Sequence, residues 1–164
     1  MSMLVPTAQG ACPSCETAGQ VGKACREKVC QRQGIHFVPY DYAQASWEAS
    51  GLEREVLVGQ FVGDFLVLGR IGKGGFGRVL LALQRPLFRL PAAVKLLEFG
   101  GHDAATTKRI IDKFENEAAV LAVLNHPNIV RLLNYGLHQD RPYLAMEFVP
   151  ERQTLQTLMK IGRA

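Results

Sequence analysis

Beyond residue 30 the sequence has no cysteine. Disulfide staples are therefore excluded from most of the chain, and thiol chemistry is confined to residues 12–30. Long apolar runs are also missing. The longest, Ala118 to Leu124, falls far short of the roughly 20 residues that a membrane helix needs. The opening Met-Ser-Met-Leu-Val-Pro has no basic segment ahead of an apolar stretch, so no secretory signal is expected. There is no Lys/Arg block and no interleaving of arginine with aromatics. The net charge of +4 is spread thinly, which argues against nucleic acid and is compatible with small anionic ligands. No internal repeat or low-complexity segment occurs. A soluble, cytoplasmic protein without a membrane segment is expected. Its 164 residues, 48% of them hydrophobic, suit one ordinary domain plus something small.

What is present begins with the cysteines. Cys12-Pro13-Ser14-Cys15 is a C-x-x-C turn, which lets two thiolates reach one ion. Cys25 and Cys30 form a second, wider pair that would complete a tetrahedral four-sulfur site. A segment this short cannot hold itself together by burial, so a structural zinc ion would supply its folding energy. The alternative is four free thiols in a loose tail. His36, followed by Phe37-Val38-Pro39, reads as packed or solvated rather than as a ligand.

Further along, Ile71-Gly72-Lys73-Gly74-Gly75-Phe76-Gly77-Arg78-Val79 places three glycines at G-x-G-x-x-G spacing. Such a loop exposes backbone N–H groups to phosphate oxygens, because no Cβ stands in the way. Alone it is a weak signal. Here apolar strands are expected on both sides, over 65–71 and 77–83, whereas in a dinucleotide-binding fold the glycines open a helix. A third strand is expected over 92–97, a helix over 104–124 and two more strands over 129–136 and 142–149. A final helix is expected to start near Thr154.

Two charges are out of place in this pattern. Lys95 sits in the middle of an apolar strand, Ala92-Ala93-Val94-Lys95-Leu96-Leu97. Glu117 borders the helix stripe of Ile110, Phe114, Ala118 and Leu121. Lys95 could simply face water on an edge strand, and Glu117 could pair with Lys113 one turn away. If strand and helix face each other, the two charges instead explain one another.

The order of parts is glycine loop, strand lysine, helix glutamate, His126-Pro127-Asn128-Ile129-Val130 and Leu144-Ala145-Met146-Glu147-Phe148-Val149-Pro150. Over roughly residues 60–160 this resembles the small N-terminal lobe of protein kinases, in texture a bacterial member of the serine/threonine group, here preceded by a zinc-ribbon-like knuckle. The resemblance implies an α+β fold, with a five-stranded antiparallel sheet plus one helix. The residues ahead of the lobe are expected to form a flexible tail (1–11), a four-cysteine zinc knuckle (12–34) and a linker (35–62) with a helical turn or two and aromatics packed on a neighbouring surface, and the resemblance implies the lobe (63–150) and the start of a truncated large lobe (151–164). Ile71, Gly72, Lys73, Gly74, Gly75, Phe76 and Gly77 would cover the phosphates of ATP. Lys95 would hold the α- and β-phosphates and Glu117 would orient it, as the catalytic pair. Val79 and Ala93 would sandwich the adenine. Met146 would be the gatekeeper, Glu147 and Val149 the hinge partners, and Thr154 a ribose contact.

The family's His-Arg-Asp loop, magnesium-binding Asn and Asp-Phe-Gly motif are not among these residues, and Asp64-Phe65-Leu66 precedes the glycine loop. The resemblance therefore implies an ATP-binding portion of a kinase that is inactive alone, with magnesium bound only alongside a large lobe. Leu121 and Leu132 would lie on an apolar underside prone to self-association. Two other readings remain: a non-catalytic nucleotide-binding or docking module, and an interaction protein whose working part is the cysteine segment.

Overall fold

The computed structural model describes residues 8–51 and 54–150. The helix expected near Thr154 lies outside them. Two antiparallel sheets are present. The smaller holds β1 (Gln9–Ala11), β2 (Ala18–Gln20) and β3 (Val38–Pro39) in the order β2-β1-β3. Between its strands runs the short helix α1 (Lys28–Arg32), and after β3 comes α2 (Tyr40–Glu48). The larger sheet holds β4 (Phe61–Val62), β5 (Phe65–Gly74), β6 (Gly77–Gln84), β7 (Pro91–Leu97), β8 (Leu132–His138) and β9 (Arg141–Glu147), in the order β4-β5-β6-β7-β9-β8. The long helix α3 (Ala104–Val123) connects β7 to β8.

The five expected strands and the helix are all there, and the two-residue β4 adds a sixth strand at the edge. Some boundaries differ: β5 runs on past Ile71 to Gly74, β9 ends at Glu147 rather than Val149, and the fourth strand starts late. Ile129, Val130 and Arg131 were expected in the fourth strand, but β8 starts at Leu132. The chain first turns after Pro127, with Ile129 N–H donating to the His126 carbonyl at 3.0 Å. The hairpin between β8 and β9 turns at Gln139 and Asp140, both at positive φ (49° and 62°). That matches the right-handed strand twist.

Residues 35–62 carry far more structure than a linker. β3 pairs with β1, α2 runs for nine residues, and β4 joins the large sheet. The indole N–H of Trp47 donates to the Cys12 carbonyl at 3.1 Å, which ties α2 to the cysteine turn. The reason is apolar area. Phe65, Leu66, Val67 and Leu68 are a continuous apolar run, and a strand covered on one face would show alternation instead. Phe65 and Val67 face a cluster with Leu80, Ala82, Val94, Leu96 and Tyr143. Leu66 and Leu68 face the other way, toward Val38, Ala43 and Val58, with Trp47 and Phe88 alongside. The N-terminal unit thus covers the second face. Gly22 permits the close approach. It adopts φ +84°, and a Cβ there would lie 2.2 Å from the Phe88 ring.

Register fixes what shares a face with α3. Gly72 pairs with Val79, Val79 with Lys95 and Lys95 with Leu144, while Leu81 pairs with Ala93 and Ala93 with Met146. The helix packs Phe114 and Ala118 on Leu97 and Leu144, with Ile110, Leu121, Leu132 and Met146 at the margin. The N-terminal unit occupies the β5–β6 end of that same face through Leu66, Leu68, Leu81 and Leu83.

Candidate nucleotide cleft and candidate metal centre

Between α3 and the β5–β6 turn lies a cleft of about 540 Å³, a size suited to a small-molecule ligand. Gly74, Gly75, Phe76 and Gly77 form its rim and Val79 and Lys95 its wall. Ile110, Phe114 and Glu117 close the helix side. The turn is a β-ribbon end, with Gly74 opposite Gly77. Nothing stands within 4 Å of where a Cβ of Gly75 would be, and only the Gly77 carbonyl, at 3.9 Å, approaches that of Gly74. No protein atom therefore requires glycine there, and the missing side chains leave backbone N–H groups open to a ligand. Gly77 is different: a Cβ would lie 2.2 Å from the Leu96 carbonyl, so only glycine lets β6 start this close to β7.

Lys95 and Glu117 meet. The Lys95 ammonium donates to both carboxylate oxygens, at 3.1 and 2.9 Å, and lies 5.6 Å from the centre of the Phe114 ring. The strand register aims Lys95 at the helix, and the helical stripe turns Glu117 toward the strand. Both side chains are a little over a third exposed (35% and 41%), so the pair itself contributes only about 0.5 kcal/mol to stability. It is an accessible cation held in a fixed direction by a carboxylate. Lys113, the other expected partner of Glu117, lines the cleft instead, with Arg109 and Thr106. These three went unremarked as site residues. Their signal was the spacing: Arg109, Lys113 and Glu117 follow at four-residue steps beside the buried stripe.

The remaining sequence-picked residues are dispersed around the cleft. Lys73 is exposed on the turn, opposite Arg78. Ala93 and Met146 are cross-strand neighbours on the α3 face of the sheet. Ile71 and Phe148 pack at the edge of the cluster that α2 covers. Glu147 ends β9, and its carboxylate and backbone N–H bond the Arg131 N–H and carbonyl, each at 3.0 Å. Val149 is exposed. Thr154 lies outside the described residues.

A second constellation lies in the N-terminal unit. The sulfurs of Cys12, Cys15, Cys25 and Cys30 all fall within 4.8 Å of one another. Cys12 and Cys30 are 3.8 Å apart, and Cys15 and Cys25 are 3.5 Å apart. Four thiolates on one zinc at about 2.3 Å would be separated by about 3.8 Å, the edge of the tetrahedron, so the donor set fits that ion. The wide Cys25–Cys30 spacing is accommodated by α1, which brings Cys30 back, and by the Cys25 N–H bonding the Ile35 carbonyl at 2.9 Å. His36 turns away: Nδ1 lies 2.9 Å from the Gly34 carbonyl, and its ring packs edge-on against Phe61. Burial pushes the Cys12 and Cys30 thiols up. At Cys15 burial also pushes up, but hydrogen bonds from Thr17 and the neighbouring thiols outweigh it and bring the thiol to about 7. A cation bound among the four sulfurs would reverse the desolvation effect and favour their thiolate form.

A sequence model of the protein kinase domain matches residues 65–163. The chain is 36% identical over 100 residues to the serine/threonine-protein kinase pkn2 of Myxococcus xanthus, covering 61% of this chain and 11% of that protein. It is 37% identical over 102 residues to PrkC of Bacillus subtilis, covering 62% of this chain and 15% of that protein. The chain thus spans a small fraction of these relatives. Among solved structures, a Mycobacterium tuberculosis PknI kinase domain superposes with a TM-score of 0.54 at 24% identity, over 67% of this chain and 42% of that one.

Proposed function

The chain belongs to the protein kinase domain family, and from that premise we propose that residues 63–150 form the ATP-binding lobe of a serine/threonine kinase. The observation that carries this reading is the Lys95–Glu117 pair at 2.9 Å beneath an unobstructed glycine turn. The turn would cover the phosphates with its N–H groups. Lys95 would hold the α- and β-phosphates, Glu117 would keep its ammonium aimed at them, and Val79 and Ala93 would bound the adenine. Met146 and the Glu147–Val149 backbone would form the inner edge and hinge. Phosphoryl transfer to a Ser or Thr hydroxyl belongs to the complete kinase. A base and magnesium ligands are needed for it, and no His-Arg-Asp or Asp-Phe-Gly motif occurs among these 164 residues. What this chain's own residues do is bind and orient.

We propose further that Cys12, Cys15, Cys25 and Cys30 hold one structural zinc ion. Four protein donors leave no open coordination position, so the ion would supply folding energy rather than catalysis.

ATP is expected to raise the thermal midpoint of the chain, and Lys95→Met is expected to weaken binding about tenfold or more, as loss of a charged contact implies. The midpoint of ligand-free Lys95→Met should stay close to that of the unaltered chain, because the exposed ion pair contributes so little. Absence of any ATP-dependent shift in the unaltered chain overturns the nucleotide reading.

A further inference from the structure

A set of opposite charges, buried at one end and partly exposed at the other, lies outside the cleft and begins ahead of the family match. Glu55 precedes residue 65, yet only 3% of its side chain is exposed. Both of its carboxylate oxygens accept from Arg78 Nη1, at 3.0 and 3.2 Å, and Oε1 also accepts from the Leu57 N–H at 3.0 Å. Arg78 Nε lies 3.1 Å from Glu98 Oε1, close enough to pair though off the hydrogen-bond direction. Glu98 in turn donates its backbone N–H to the Phe76 carbonyl at 3.1 Å, and Phe76 is the tip of the glycine turn. Arg78 itself follows Gly77 directly. One network thus runs from the segment before β4, through the first side chain after the turn, to the turn's own backbone.

Apart from this network, the turn is held by the β5–β6 ladder, with Gly74 opposite Gly77, by Gly77 opposite Leu97 of β7, and by the Phe76 ring against His102 with centroids 6.0 Å apart. The positions of Gly74 and Gly75 meet almost no neighbouring atoms, Phe76 is half exposed, and a glycine-rich backbone loses much entropy when fixed. A buried carboxylate is also costly to keep unless fully paired, and Glu55 is fully paired. His138 is held below its ordinary pKa by burial and then by the charges of Arg141 and Arg78.

We propose that Glu55, Arg78 and Glu98 are positioning residues that brace the glycine turn over the cleft. Through them the segment ahead of the kinase lobe sets how firmly the turn closes on nucleotide phosphates. The nucleotide part rests on the ATP reading above, whereas the brace stands on the geometry alone. A turn held in place before binding loses less freedom on binding and binds more tightly.

The test uses the whole chain with Glu55→Gln and Glu98→Gln. Lys108→Ala, which breaks only an exposed helix-surface pair with Asp112, serves as control. Hydrogen exchange of amides 73–79 is expected to quicken about tenfold in both Gln variants, the factor matching one lost charge-assisted contact, with β9 amides unchanged. Affinity for a fluorescent ATP analogue should fall about three- to tenfold in the same variants, and the control should match the unaltered chain in both readouts. Unchanged exchange in the turn of folded variants overturns the brace, as does acceleration spread evenly over the sheet. Should Glu55→Gln fail to fold, Glu98→Gln, at the partly exposed end of the network, decides alone. If the unaltered chain binds no analogue, the ATP reading fails and the exchange result still decides the brace.

Discussion

Asp103 marks the first turn of α3. Its carboxylate accepts from the Thr106 N–H at 2.8 Å and the Thr106 hydroxyl at 3.1 Å, which caps the helix. These bonds, the backbone one first, hold the Asp103 carboxyl below its ordinary 3.8. With the folded value depressed, the stabilising contribution is complete above the unfolded value and is lost as pH falls through the lowered one. Asp103→Asn keeps a cap oxygen that does not titrate. On acidification, helix signal in circular dichroism is therefore expected to decline less in Asp103→Asn than in the unaltered chain below about pH 3.8. Equal decline would remove Asp103 as the titrating cap. At this scale much of the site was legible. Lys95 and Glu117 were each anomalous in an apolar pattern, and anomalous charges of opposite sign point at each other. Glu55 and Arg78 were not legible, because a carboxylate in a charged stretch and an arginine in a strand look like ordinary surface residues until their burial is known.

At the scale of elements, the cysteine segment is the part most dependent on something other than burial. Around the sulfurs its cluster holds only Ile35 and Phe37 beside Cys12, Cys25, Cys30 and Cys15, while Ala11 and Val21 pack toward the large sheet, so little apolar surface is left to order the cysteine turn itself unaided. Metal analysis of the purified chain is expected to find one zinc per chain, absent in Cys25→Ser. Chelation should unfold β1 to β3, since bound zinc contributes on the order of 10 kcal/mol to small domains of this kind. The only tryptophan reports on this directly: Trp47 donates to the Cys12 carbonyl, so its fluorescence should shift to the red on chelation. Metal-free protein with unchanged Trp47 emission would leave the thiols free. The strands and α3 could be read from runs and periodicity, because those patterns record which side of an element meets apolar neighbours. The role of 35–62 could not, since α2 and β3 gain their meaning from covering a face of β5 that is distant in sequence.

Over the whole molecule, the apolar side chains left exposed among the described residues include Leu87 and Leu90 between β6 and β7 and a group at the end of α3. Val120, Val123 and Leu124 at the end of α3 are 55%, 81% and 40% exposed, next to the partly buried Leu121 and Leu132. The adhesive underside was expected at Leu121 and Leu132, which are themselves partly buried; the exposed residues adjoin Leu121 in the chain. Light scattering should show concentration-dependent self-association that Val120→Asp together with Val123→Lys reduces, and a monodisperse monomer of the unaltered chain would contradict it. No helix among the described residues is long and apolar enough to cross a membrane. The sequence by itself determined the kinase lobe, its glycine turn, its lysine and glutamate, and the four clustered cysteines. Those features are local in spacing or anomalous in polarity. Only the tertiary structure decided that four sulfurs converge within 4.8 Å and that the N-terminal unit shares a sheet face with the cleft. It alone showed that Glu55 reaches the residue after the glycine turn. These are contacts between distant segments, set by which surfaces can be buried together, and no local pattern encodes them.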